Sequence, residues 1–129
     1  MNDWNDSGTL SEHEALIARY LRDSRKREAL TWLKGGTGVK RLIGESKTKR
    51  ESLALVKGLY AMGAEKVIAV YIRSTKQAKG QRTGRLVVKL PAGAAQRRAI
   101  FDWCNAQGDS LGYTPKPDHG ETYMFLLLE

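Results

Sequence analysis

Lys66-Val67-Ile68-Ala69-Val70-Tyr71-Ile72, a polar stretch from Arg73 to Gly84, and Arg85-Leu86-Val87-Val88-Lys89-Leu90 closed by Pro91 form the passage that orders the rest of the chain. Both apolar runs have strand length and β-branched composition, and the segment between them is polar and contains glycine. Together they predict an antiparallel hairpin with a long tip. Upstream, Val39 to Gly44 reads as a short strand, and Thr48-Lys49-Arg50-Glu51 has the spacing of a capping box. Leu53, Val56, Leu59 and Tyr60 then recur at helical spacing until Gly63. Downstream, Ala94 to Ala106 places Ala99, Ile100, Trp103 and Cys104 on one helical face, with Gly108 as its stop. A loop with Pro115 and Pro117 leads to a last strand, Thr122 to Leu128.

Read from residue 39 to residue 129, the order is βαββαβ, which predicts an α+β domain of the ferredoxin-like kind. Right-handed crossovers put two helices on one face of a four-stranded antiparallel sheet. Alternation assigns Ile68, Val70, Ile72, Leu86, Val88, Leu90, Met124, Leu126 and Leu128 to the helix-facing side. Val67, Ala69, Tyr71, Arg85, Val87, Lys89, Tyr123, Phe125 and Leu127 fall on the other side, an apolar patch too large to leave in water. Either the N-terminal segment covers it or a second copy does, as a homodimer. That segment reads as a flexible tail over 1–10 followed by a helical extension over 11–35. Ser11 and Glu14 have capping-box spacing, Leu16, Ile17, Tyr20 and Leu21 form a stripe, and Ser24 to Arg27 interrupt it before Ala29, Leu30 and Leu33 resume. One kinked helix and two short ones fit equally.

A chain of 129 residues suits one domain able to bury a core without metals or disulfides. Cys104 is the only cysteine, so no intramolecular disulfide forms, and a cytoplasmic location is expected. The first residues are polar and acidic, and no apolar run approaches the ~20 residues of a membrane-spanning helix, so no membrane partner is expected.

Charge is distributed unevenly. Residues 19–98 hold 21 of the 22 Lys and Arg residues and five acids, a formal balance of +16, while 1–18 and 99–129 carry −4 each. A basic segment of that strength is the footprint of a polyanion: DNA or RNA, or an acidic protein surface. The candidate phosphate contacts are Arg25, Lys26 and Arg27, then Lys47, Lys49 and Arg50, then the hairpin cations Arg73, Lys76, Lys79, Arg82 and Arg85. Base stacking lacks sequence support, because Tyr71, Tyr123 and Phe125 are expected beneath the N-terminal helix. Gly35-Gly36-Thr37-Gly38 is not a phosphate-binding loop, since a helix precedes it and a strand follows.

The one dense cluster of catalytic residue types is Asp118, His119 and Glu121, on which a small nuclease would centre. It has no third or fourth ligand at metal-binding spacing and no positioned electrophile, so no metal or cofactor is expected. The sequence thus favours a non-enzymatic accessory or regulatory protein that binds nucleic acid through its phosphates. The alternative is a dimeric interaction module working through the apolar sheet face.

Overall fold

The expected hairpin is present in the computed structural model, which describes residues 7–36, 39–75 and 80–129. Strand β3 (Lys66–Val70) pairs antiparallel with β6 (Arg85–Lys89), setting Lys66 opposite Lys89 and Val70 opposite Arg85. Further out, β4 (Arg73–Ser74) pairs with β5 (Gln81–Thr83), with Arg73 opposite Arg82. Both pairings keep one register, so Tyr71 and Gly84 face each other where the two halves part. There the ribbon bends. Tyr71 takes a left-handed backbone with φ of 52°, and the buried Thr83 hydroxyl donates to Val70 O while accepting from Arg85 N at 3.0 Å.

The bend divides the hairpin between two sheets. Its inner half belongs to a four-stranded antiparallel sheet of order β1-β3-β6-β7, with β1 at Arg27–Glu28 and β7 at Tyr123–Leu127. The outer half joins β2 (Arg41–Ile43) in a three-stranded sheet of order β2-β5-β4, where β2 runs parallel to β5. The α+β class and the four-stranded antiparallel sheet are therefore observed, whereas a ferredoxin-like order is not confirmed. That order would seat the strand at 39–44 beside the one at 85–90. Both edges of β6 are already occupied, by β3 and β7, so β2 takes the free edge that the bend creates on β5. Gln81 N to Lys40 O (2.7 Å) and Gly44 N to Thr83 O (2.7 Å) fasten it there. The fourth place goes to β1, where the run that reads as a helix interruption ends at Arg27 and passes into Glu28.

Three helices pack on one face of the large sheet: α2 (Ala29–Lys34), α3 (Lys49–Ala61) and α4 (Ala94–Ser110). Ala29, Trp32 and Leu33, then Val56 and Leu59, then Ile100, Phe101 and Cys104 meet Val67, Ala69, Leu86, Val88, Met124 and Leu126 in one core. The β3 phase corrects the expected one: Val67 and Ala69 face this core, while Ile68 and Val70 face away. Residues 67–70 are all apolar and buried, so alternation carries no phase there, and the pairing of Val67 with Val88 decides it. Local chemistry sets the helix starts. Thr48 and Glu51 form the expected reciprocal capping box of α3, and the Glu28 carboxylate caps α2 by accepting from Leu30 N and Thr31 N.

Helix α1 (Ser7–Arg22) lies on the opposite face. Ile17 packs with Ile68, Val70, Val87 and Phe125, flanked by Leu16, Tyr20 and Leu21, and the Tyr20 ring stacks on Phe125 at 5.7 Å and 8°. The open sheet face is thus covered in cis. Helix α1 begins at Ser7, so Ser11 lies inside it and residues 7–10 are helical rather than a tail; residues 1–6 of the expected tail lie outside the described residues. A turn and β1 separate α1 from α2, making two helices of the extension. Among the described residues, no helix is long and apolar enough to cross a membrane.

Candidate nucleic-acid interface

Antiparallel pairing sets Arg27 opposite Ala69, and Arg25, in the turn before it, lies within electrostatic reach of Tyr71. One end of the large sheet therefore gathers the 25–27 run, the start of β4 and the start of β6. Tyr71 sits at its centre and is 44 % exposed, in place of the burial expected for it. Phe125 is buried beneath α1 and Tyr123 is half-buried, in line with their expected position. The left-handed backbone accounts for the difference, because a residue at a bend leaves the alternation of the strand that precedes it.

Two guanidinium groups attend the Tyr71 ring, that of Arg85 at 4.1 Å from its centroid and that of Arg73 at 5.3 Å. Arg85 also donates to the Tyr20 hydroxyl, and Arg73 donates to Glu129 Oε2 at 2.9 Å. The buried Arg85 Nε has no hydrogen-bond acceptor among the described residues, with Glu129 Oε1 standing off at 3.7 Å. Arg25 is largely exposed and forks onto Asp23, whose carboxyl its hydrogen bonds pull down to about 2. Neither Glu129 nor Gly84 stands out in the sequence. The signal that would have found Gly84 is the hairpin register, which pairs it with Tyr71.

The other candidates are not all brought here. Arg82 donates to the carbonyls of Gly44 and Ser46, fixing the loop before α3, and so is committed to the fold. Arg27 donates to Ser24 O at 2.9 Å and Lys26 O at 2.8 Å. Lys47, Lys49 and Arg50 are exposed at the start of α3, on the β2 side of the small sheet, with β5 between them and the β4 edge that carries Arg73. Lys76 and Lys79 lie outside the described residues.

No protein family, curated protein or solved structure matches this chain.

The turn at 118–121 is organised by an arginine from α4. Arg97 makes a fork onto Asp118 at 2.7 and 3.0 Å and donates to Glu121 O at 2.9 Å and Pro91 O at 3.1 Å. Those hydrogen bonds hold the Asp118 carboxyl well below the usual carboxylate range. Glu121 accepts from His119 N at 2.8 Å, and Asp118 accepts from Gly120 N at 2.8 Å, so both carboxylates are occupied by the turn itself. The His119 side chain is exposed. Behind this turn, Lys116 donates to Phe125 O, and burial pushes its ammonium down to about 8. Burial pushes the Cys104 thiol up to about 12, far from the thiolate a nucleophile requires. Among the described residues, no group of three or more His, Cys, Asp or Glu could hold a metal ion.

Proposed function

We propose that this protein binds nucleic acid through its phosphates, as a non-enzymatic cytoplasmic accessory or regulatory protein. The observation that carries the reading is the placing of Arg73 and Arg85 against a half-exposed tyrosine, with Arg25 in electrostatic reach of it, within a segment of balance +16. Arg and Lys on one sheet end neutralise successive phosphates and release the counterions condensed on them. Lys47, Lys49 and Arg50 extend the basic surface across the small sheet. A nuclease centred on residues 118–121 has less support, because Asp118 and Glu121 bind Arg97. A dimer through the apolar sheet face has less support too, because α1 is packed there.

Fluorescence anisotropy with unrelated labelled oligonucleotides over a salt series tests the reading. Wild type is expected to bind at low salt, and changing Arg25, Lys26, Arg73 and Arg85 together to Ala should flatten the salt slope by about one unit per lost contact, alike for all sequences. No binding by wild type at low salt would transfer the basic surface to an acidic protein partner.

A further inference from the structure

We infer that the bend at Tyr71 and Gly84 is a site for one nucleotide of a single strand, its base against the Tyr71 ring and its phosphate between Arg73 and Arg85. In the free protein, the Glu129 carboxylate occupies the phosphate's place. The inference rests on the nucleic-acid reading above and specifies strandedness, which that reading leaves open.

Four observations converge on the bend. The first is the ring itself: an aromatic residue held at a left-handed φ of 52° is uncommon and strained. Here that backbone presents a tyrosine to solvent at 44 % exposure instead of burying it. A ring so placed takes up a base only when the base is unstacked, which a duplex does not offer. The second is the anion already present. Glu129 offers Oε2 to Arg73 at 2.9 Å and Oε1 towards Arg85 at 3.7 Å, and a phosphodiester brings the same single charge with tetrahedrally spread oxygens.

The third is the unmet donor. Arg85 Nε is buried and has no acceptor among the described residues, so the carboxylate does not fill the site that the two arginines define. The fourth is Gly84. A Cβ there would stand 2.5 Å from Glu129 Cδ and 2.6 Å from Oε2, so the missing side chain is what admits the carboxylate. Glu129 therefore acts as a built-in competitor: it keeps the arginine pair ordered and must swing away before a phosphate enters.

The test is anisotropy with ten-nucleotide single-stranded DNA and RNA and the matching duplex, at low salt. Glu129→Gln should tighten single-strand binding more than duplex binding. Gly84→Ala, whose Cβ would stand in the place that carboxylate and phosphate share, should cancel that gain when added to Glu129→Gln. Tyr71→Asn removes the ring with a residue that tolerates the left-handed backbone, and should weaken single-strand binding by about five- to 150-fold with duplex binding unchanged. Tyr71→Trp should restore it. Thermal midpoints within a few degrees of wild type confirm that the variants fold. Equal wild-type affinity for single strand and duplex, with no loss in Tyr71→Asn, overturns the nucleotide site and leaves the phosphate reading standing. No binding of any oligonucleotide by wild type or Glu129→Gln overturns both.

Discussion

His13 is buried with its ring edge-on to Phe125 at a centroid distance of 5.8 Å. Burial, with the Lys116 charge adding to it, pushes its imidazole down from 6.5 to about 4. Between those values the unfolded chain holds a proton that the folded chain has released, so stability rises with pH across that window. His13→Phe, which keeps a ring against Phe125, should remove this part of the dependence. Urea unfolding of the two proteins should show a gap that is widest near pH 4 and constant above pH 7; parallel pH profiles would refute it. Residues whose role is local were legible in the sequence. Thr48 and Glu51 announce a helix start by spacing alone, and they form it. Tyr71 was illegible for the opposite reason: its exposure depends on a backbone angle and on Gly84, thirteen positions away.

Helix α1 shows how an element is held by a surface rather than by its own propensity. Its Ile17, Leu16, Tyr20 and Leu21 meet Ile68, Val70, Val87 and Phe125; the buried Ile17 contributes about 1.5–3 kcal/mol and the three half-buried side chains less each. Removing residues 1–22, which spares α2 and its part of the main core, strips that face bare. The shortened chain is expected to self-associate, and its mass by light scattering should exceed that of a monomer; a soluble folded monomer would show that α1 is not what keeps this face dry. The need for a cover was readable from Val87, Tyr123, Phe125 and Leu127, whose alternation is clean. The identity of β1 was not readable, because Arg27 and Glu28 belong to the sheet only through the backbone they lend to Ala69 and Ile68. Nor was the second sheet, since nothing within Arg41-Leu42-Ile43 distinguishes a central strand from one that pairs beyond a bend.

At the scale of the whole molecule, the large sheet keeps its strands in chain order, β1, β3, β6 and β7. Every antiparallel neighbour is the next strand along, with the hairpin at the middle. The exception is β2, which pairs in parallel with β5, about as far along the chain as β1 lies from β3, and does so on an edge that exists only once the outer half of the hairpin has formed. Such order has a kinetic meaning: the central hairpin closes its loop at little entropic cost, β1, β2 and β7 must each bring in a distant segment, and β2 must also wait for the outer half of the hairpin whose edge it joins. Folding should therefore begin on β3 and β6, grow outward to β7 and β1, and finish at β2. Stopped-flow chevrons should give Val87→Ala a φ-value above about 0.5, mainly slowing folding, and Leu42→Ala one below about 0.3, mainly hastening unfolding. The loop carrying Lys47, Lys49 and Arg50 then acquires its position last, after the sheet that holds Arg85 is already built.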